Sequence, residues 1–313
     1  MAWWGWLLIV LVILLAAAVY GAFRVAEVRA KPRTPKNLEE DRTWGPFTEQ
    51  VKAAQARVAA MPREDVEMIS YDGLKLRGSF YPCENARGTV VLMHGFRSTG
   101  LQDFGTQLPF YASLGLNILL PDQRSHGRSE GRYICYGVKE RRDCLDWLHW
   151  VNQREGADKP LLLGGISMGG ATVLMTLGLD TPANLKGCVA DCAYTSPWEI
   201  LRHVGQGRYH APVEPLLYLC DGVSRLTAGW GYKEASPVEA VKHAKVPVLF
   251  IHGGADDFVP TEMSQVNYDA CVSEKKLVIV PGAKHATSYL TDTERYEREV
   301  RAFVERVMGG KKA

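Results

Sequence analysis

The sequence lacks a strong excess of either charge. Lys and Arg number 37 and Asp and Glu number 35, so the net charge is +2. Basic residues do not form a stripe interleaved with aromatic residues, which argues against a nucleic-acid partner. Internal repeats and low-complexity tracts are also missing. The 313 residues are enough for one large domain with a sizeable core.

Cysteine pairs with metal or redox spacing are missing too. The seven cysteines include no Cys-x-x-Cys pair, and Cys188 and Cys192 lie in an apolar run that is typical of buried free thiols. Their odd number and apolar surroundings favour a reducing compartment without excluding an oxidising one. His94, Asp122 and His126 are spread over two loops without a ligand spacing. We therefore expect no metal.

One long stretch has no charge at all. Residues 2 to 23 are uncharged, and a helix of that length covers about 30 Å, the thickness of the hydrocarbon core. Tryptophans at one end and Tyr20 and Phe23 at the other suit the two membrane interfaces. A cleaved signal peptide is the alternative, but its positive n-region is missing. We predict a single-span transmembrane anchor over residues 1–23.

Basic residues flank this segment on its C-terminal side only, beginning with Arg24 and Arg29. The positive-inside rule then predicts a cytoplasmic catalytic domain, with an extracytoplasmic domain as the alternative. Ready digestion of the domain by protease on intact cells would contradict the cytoplasmic placement. Residues 24–45 mix prolines with charges and are predicted to form a linker.

Residues 46–313 alternate short apolar runs with helical patterns. A hairpin signal, Asp72-Gly73, separates the first two runs, and continuous apolar runs of this kind are typical of a parallel sheet covered on both faces. This alternation predicts an α/β fold with a mostly parallel, twisted sheet of about eight strands. Residues 196–237 contain no strand signal. They are a candidate lid over the carboxyl ends of the strands, and ordinary covering helices are the alternative.

A G-x-S-x-G pentapeptide, Gly165 to Gly169, carries the strongest chemical signal. An apolar strand precedes it and a helical run follows it, which is the context that a nucleophile elbow needs. The sharp turn leaves no room for side chains beside the serine and lifts its hydroxyl off the sheet. Ser167 is therefore the predicted nucleophile.

A serine hydroxyl needs a base, and in this arrangement the chain order is serine, acid, histidine. His285 directly follows the last predicted strand and fits the base. Three carboxylates are candidates for the acid that orients it: Asp256, which we rank first, Asp257 and Asp191.

The tetrahedral intermediate needs N–H donors for its oxyanion. Met168 follows the nucleophile, and Phe96 lies in the loop after the third strand. The backbone N–H groups of Phe96 and Met168 are the predicted donors.

Together these motifs resemble the α/β-hydrolase superfamily over residues 45–308. They are His94-Gly95-Phe96, the loop Asp122 to Ser129, the elbow, the Asp256 segment and Gly282 to His285. The likeness is greatest to the membrane-anchored bacterial esterase and lysophospholipase-like branch. It implies a Ser167, Asp256 and His285 triad, an oxyanion hole at Phe96 and Met168, and no cofactor. The loop departs from the family pattern because Ser125 replaces a glycine, and we interpret its Asp122, Arg124 and His126 as bracing groups.

The leading functional hypothesis is hydrolysis of carboxylic esters through an acyl-serine intermediate. The anchor and the apolar lid favour a lipid-derived acyl ester bound at a membrane. Acyl transfer or amide cleavage would use the same triad, and a non-catalytic, membrane-tethered binding protein is the alternative of another class. The sequence does not indicate the acyl length, the alcohol group or the oligomeric state.

Overall fold

The computed structural model describes residues 3–30, 39, 43–209 and 213–309. Eight strands form one sheet in the order β1-β2-β4-β3-β5-β6-β7-β8. Strand β2 is antiparallel to both of its neighbours, and the strands from β4 to β8 are parallel. The predicted eight-stranded, mostly parallel sheet is confirmed. Its strands are β1 Glu64–Ile69, β2 Lys75–Tyr81, β3 Gly88–Met93, β4 Leu116–Asp122, β5 Leu161–Ile166, β6 Leu185–Asp191, β7 Val248–Gly253 and β8 Lys275–Val280.

Twelve α-helices accompany the sheet within the described residues. They are α1 Trp3–Glu27, α2 Thr48–Ala59, α3 Gly100–Phe104, α4 Leu108–Ser113, α5 Glu140–Glu155, α6 Met168–Thr176, α7 Pro197–Tyr209, α8 Glu214–Thr227, α9 Pro237–Ala240, α10 Thr261–Ala270, α11 Ser288–Thr291 and α12 Thr293–Met308. Short 3₁₀ turns lie at Gly45–Phe47 and Val241–His243.

The strands are buried on both faces because helices cover the sheet on each side. Alternation along β3 sends Val90 and Leu92 to the face covered by α12, and sends Val91 and Met93 to the face covered by α5 and α6. The Asp72-Gly73 turn joins β1 to β2, with Gly73 at φ +87°. This layering places the carboxyl ends of the parallel strands, and the loops after them, at one edge of the sheet.

The candidate lid consists of α7 and α8, and the structure has no strand in its described part. Its apolar residues form a separate cluster with Met168, Trp230 and Val19. The two helices therefore lie over the end of the sheet at which the elbow is located.

Helix α1 is the one described helix that is long and apolar enough to cross a membrane, with a mean hydropathy of 2.7 over its best window. It differs from the sequence prediction at its end. The helix continues to Glu27 rather than stopping at residue 23, and Val28 forms a β-bridge with Tyr133. Residues of the predicted linker therefore contact the domain, through this bridge, through the Arg29 N–H bond to the Arg132 carbonyl and through the buried Glu27 carboxylate, which accepts hydrogen bonds from Ser224 and Tyr232. Most of the rest of the predicted linker lies outside the described residues.

Candidate active site

Ser167 lies in a sharp turn between β5 and α6. Its backbone adopts φ 57° and ψ −118°, a conformation that costs energy for a residue other than glycine. A Cβ on Gly165 would overlap the Gly169 carbonyl, and one on Gly169 would overlap the Met93 carbonyl. The turn can close this tightly only because both positions are glycine, and the predicted elbow geometry is present.

The loops after β7 and β8 bring the predicted base and acid to the serine. His285 Nε2 is 2.9 Å from Ser167 Oγ, and His285 Nδ1 is 2.8 Å from the Asp256 Oδ2 atom. Phe258 packs against the imidazole, with ring centroids 4.9 Å apart. The three side chains thus form a continuous hydrogen-bonded series, although they come from distant parts of the sequence.

Asp256 contacts three groups besides His285 Nδ1. Its Oδ1 atom accepts the N–H groups of Phe258 and Val259, both at 2.9 Å, and His252 Nε2 lies 3.2 Å from Oδ2. Ser264 Oγ lies 2.6 Å from the other ring nitrogen of His252. Burial by itself would raise the pKa of Asp256, but the hydrogen bonds from His252 and His285 lower it well below its usual value. The carboxyl group therefore stays ionised beside the imidazole.

His252 is a residue that the sequence reasoning missed as part of this site. It is the penultimate residue of the buried strand β7 and precedes Asp256 by four residues. That short spacing from the candidate acid was the available signal.

The structure does not bring the other two carboxylate candidates to His285. Asp257 is exposed. Asp191 is buried after β6, where its side chain accepts a hydrogen bond from Ser288 Oγ at 3.1 Å and its backbone carbonyl accepts the Ser167 N–H at 2.9 Å. Burial raises the pKa of Asp191 to about 6. Asp191 therefore supports the elbow through its backbone.

The predicted oxyanion donors lie on either side of the nucleophile. In the part of the chain that the structure describes, the N–H groups of Phe96 and Met168 donate to no protein acceptor. The loop that carries Phe96 is fixed by Asp103, whose carboxylate accepts Gly95 N–H at 2.6 Å and Ser98 Oγ at 2.5 Å. Asp103 carried no sequence signal, because its role depends on the turn of a loop eight residues away.

His126 fixes the other end of the same loop. Its Nε2 atom accepts the Arg97 N–H at 2.9 Å, and its Nδ1 atom lies 2.9 Å from the Arg124 carbonyl. Burial lowers the pKa of His126 to about 3. The ring is therefore neutral near pH 7, so Nε2 keeps the lone pair that holds the N–H next to Phe96.

The loop after β4 carries the bracing contacts expected of it. Arg124 bonds Asp143 on α5 through two nitrogens, at 2.6 and 2.5 Å, and also bonds Asp72 in the first hairpin. Asp122 accepts from Arg128 Nε at 2.8 Å. Ser125, which replaces a family glycine, has φ 64°. The departure thus falls at a position where glycine costs less backbone strain.

A family model for the alpha/beta hydrolase family matches residues 90–301. That range includes Phe96, Ser167, Asp256 and His285 and covers most of the chain. The chain belongs to the alpha/beta hydrolase family.

Relatives of this α/β hydrolase occur in several bacteria. It is 27% identical over 233 residues to the protein YqkD of Bacillus subtilis, covering 74% of this chain and 76% of YqkD. It is 28% identical over 243 residues to the protein Rv2307c of Mycobacterium tuberculosis, covering 77% of this chain and 78% of Rv2307c. Among solved structures, the esterase Pf2001 of Pyrococcus furiosus matches with a TM-score of 0.67 at 22% identity, covering 91% of this chain and all of the matched one (100%). This last likeness is one of fold.

A cavity of about 350 Å³ opens beside Ser167 in this hydrolase. Phe96 and Met168 lie at its base, and residues of α7 and α8 such as Leu201 and Leu217 form its sides. The lining is mainly apolar, which suits the acyl part of a substrate rather than a charged group.

One cluster near the site has the atoms of a metal ligand set. Cys192 Sγ and one atom each from Asp256 and His285 lie within 4.8 Å of one another. Both ring nitrogens of His285 are already engaged, by Asp256 and Ser167. Burial also raises the pKa of the Cys192 thiol well above its usual value. These groups therefore fit acid–base chemistry better than metal binding.

Proposed function

We propose that this hydrolase cleaves carboxylic esters through an acyl-serine intermediate. The observation that carries the proposal is the hydrogen-bonded series from Ser167 through His285 to Asp256, at 2.9 and 2.8 Å. It supplies the two features that a serine nucleophile requires, a base within hydrogen-bond reach and a group that orients that base.

In the proposed first step, Ser167 Oγ attacks the ester carbonyl carbon while His285 Nε2 takes its proton. The carbonyl oxygen becomes an oxyanion that accepts the N–H groups of Phe96 and Met168. Collapse of this intermediate breaks the bond to the alcohol, which leaves with the proton from His285. The acyl group stays on Ser167.

In the second step, water attacks the acyl-serine carbonyl and gives a proton to His285. The new oxyanion uses the same two donors, and its collapse releases the carboxylic acid and returns the proton to Ser167. Asp256 remains ionised throughout, because its role is to hold the imidazole in the tautomer that accepts at Nε2.

A test uses the full chain in detergent micelles with p-nitrophenyl esters from acetate to palmitate. Ser167→Ala should lower kcat by at least about 10⁴-fold, because the variant has no nucleophile. Ser113→Ala is the matched control, since Ser113 is exposed and its hydroxyl contacts only the Phe110 carbonyl and, at 3.5 Å, the surface side chain of Arg301 among the described residues. A fluorophosphonate probe should label the wild-type chain at Ser167.

Two results would contradict this proposal. One is ester turnover in Ser167→Ala at the wild-type rate. The other is faster turnover of matched p-nitroanilides than of the esters by the wild-type chain, which would favour the amidase alternative.

A further inference from the structure

Helix α1 is docked on the catalytic domain along one stripe. Val19, Phe23 and Glu27 follow one another at four-residue spacing, and all three are buried. The Glu27 carboxylate accepts hydrogen bonds from Ser224 Oγ at 2.7 Å and from the Tyr232 hydroxyl. A buried carboxylate with two such partners fixes the rotation of the helix about its own axis.

The C-terminal end of α1 is bonded to the loop that carries the proposed oxyanion donor. The Arg97 guanidinium donates to the carbonyl of Val25 at 2.7 Å and to that of Val28 at 3.1 Å. The Tyr136 hydroxyl donates to the Ala26 carbonyl at 3.0 Å. Carbonyls at a helix end lack partners within the helix, so these bonds join α1 to the residue next to Phe96.

A second face of the same helix lines the cavity beside Ser167. Gly21, Ala22, Val25 and Ala26 contribute to its wall. All four are small or apolar, and a Cβ placed on Gly21 would meet nothing within 4 Å. Gly21 and Val25 are exposed, so this wall of the cavity reaches the surface of the protein along the helix.

The length of the free part of α1 places this opening relative to a bilayer. Residues 3 to 18 precede the docked stripe and cover about 24 Å at 1.5 Å per residue. The hydrocarbon core is about 30 Å thick. If α1 spans the bilayer, roughly 6 Å more of the helix must lie inside the hydrocarbon core. Residues 19 to 22 then lie at the edge of that core. Tyr20 lies at this level and Arg24 directly follows it, as interfacial side chains do.

Helix α8 of the lid also exposes apolar side chains. Tyr218, Leu219 and Leu226 are 58%, 44% and 89% exposed. The helical period places them on the side of α8 away from Cys220 and Ser224, which contact α1: Cys220 Sγ lies 3.8 Å from the Val19 carbonyl, and Ser224 Oγ donates to Glu27. Exposed apolar side chains on the element that holds α1 are suited to contact with lipid.

We propose that helix α1 is one wall of the acyl pocket and that the pocket opens to the bilayer. The substrate class is then an ester of a long-chain amphiphile that resides in the membrane, and its acyl chain reaches Ser167 along Gly21, Ala22 and Val25 without crossing water. This inference rests on the proposed ester hydrolysis.

The wall is tested with Ala22→Trp, which fills the cavity from α1. The matched control is Tyr20→Trp, two residues away on an exposed position outside the cavity lining. With full-length protein in micelles, Ala22→Trp should lower the ratio of p-nitrophenyl palmitate to p-nitrophenyl acetate turnover by about tenfold or more. Tyr20→Trp should keep the wild-type ratio. Equal ratios in the two variants would overturn the inference.

Gly21→Leu is a second variant in case the tryptophan prevents folding, because its added side chain begins in open space. It should lower the same ratio, and labelling of Ser167 by a fluorophosphonate reports that the site is assembled. If wild-type protein turns over neither ester, the proposed function itself fails. If the variants turn over the acetate ester but keep the wild-type palmitate-to-acetate ratio, only the role of α1 is overturned.

The route from the bilayer is tested with the full chain in phosphatidylcholine vesicles. The palmitate ester is placed either in the same vesicles as the protein or in separate vesicles. Turnover should be several-fold faster in the shared vesicles, because the acyl chain need not leave the apolar layer. Equal initial rates in the two arrangements would overturn bilayer delivery.

Discussion

The reacting centre and the pocket wall of this hydrolase are built in different ways. The centre consists of loops at the ends of sheet strands, where Ser167, Asp256 and His285 meet through hydrogen bonds of 2.8 to 2.9 Å. The wall consists of helices outside the sheet, α1, α7 and α8, packed through apolar side chains. Under the proposed function, the chemistry and the choice of acyl chain therefore depend on separate parts of the chain.

The largest expected effect distinguishes Asp256 from Asp191 as the acid that orients His285. Asp256→Asn should lower kcat by about 10³- to 10⁴-fold, because the amide favours the wrong imidazole tautomer. Asp191→Asn is the matched control, since Asp191 supports the elbow through its backbone carbonyl and should lose little activity. Steady-state kinetics on p-nitrophenyl butyrate measures both. A larger loss of kcat in Asp191→Asn than in Asp256→Asn would mean that Asp191, and not Asp256, orients His285.

A smaller effect, on stability, is expected for the Glu27 contacts that hold α1 against the domain. Glu27→Ala leaves the buried Tyr232 hydroxyl and Ser224 without their acceptor, and should lower the free energy of unfolding by about 1 to 3 kcal/mol. Glu49→Ala is the control, because the Glu49 side chain is 89% exposed and only pairs with Lys52 on the surface. Thermal unfolding of both variants in micelles measures the difference. Equal melting temperatures would mean that α1 is not anchored through Glu27.

An effect of similar size, which appears only on a change of pH, concerns the stability contributed by Asp191. Burial raises the pKa of Asp191 to about 6, above its ordinary value of 3.8, so the native state binds this proton more tightly than the unfolded state does. The contribution of Asp191 to stability is then full below pH 4 and falls as the pH rises towards 6. Asp191→Asn should therefore gain roughly 1 to 3 kcal/mol relative to wild type between pH 4 and pH 8. Chemical unfolding at the two pH values measures this gain. A difference in unfolding free energy between variant and wild type that is the same at both pH values would contradict the raised pKa of Asp191.

Much of the reacting centre was predictable because its side chains directly follow strands in the sequence. A glycine-flanked serine after an apolar strand and a histidine after the last strand are patterns that a sequence displays directly. The number of strands and their mostly parallel arrangement were also predictable, since burial on both faces leaves continuous apolar runs. What the sequence left open was the choice among Asp256, Asp257 and Asp191, which depends on loop conformation.

The pocket wall was not predictable in the same way. The sequence indicates that α1 is apolar, but the mix of prolines and charges after residue 23 predicted a linker there. The Glu27 carboxylate belongs to the buried stripe because it accepts hydrogen bonds from Ser224 and Tyr232, about 200 residues away in the chain. Contacts at such separation follow from the assembled fold and leave no local pattern.

The bonds from Arg97 and Tyr136 to the end of α1 bear on how this protein is handled in solution. Removing the N-terminal helix is an ordinary step towards a readily purified enzyme, and a cut before residue 46 would seem to respect a domain border. Here that cut would take away one wall of the cavity beside Ser167 together with the partners of the loop that carries Phe96. Kinetic constants from such a shortened chain would describe a hydrolase whose cavity is open on that side.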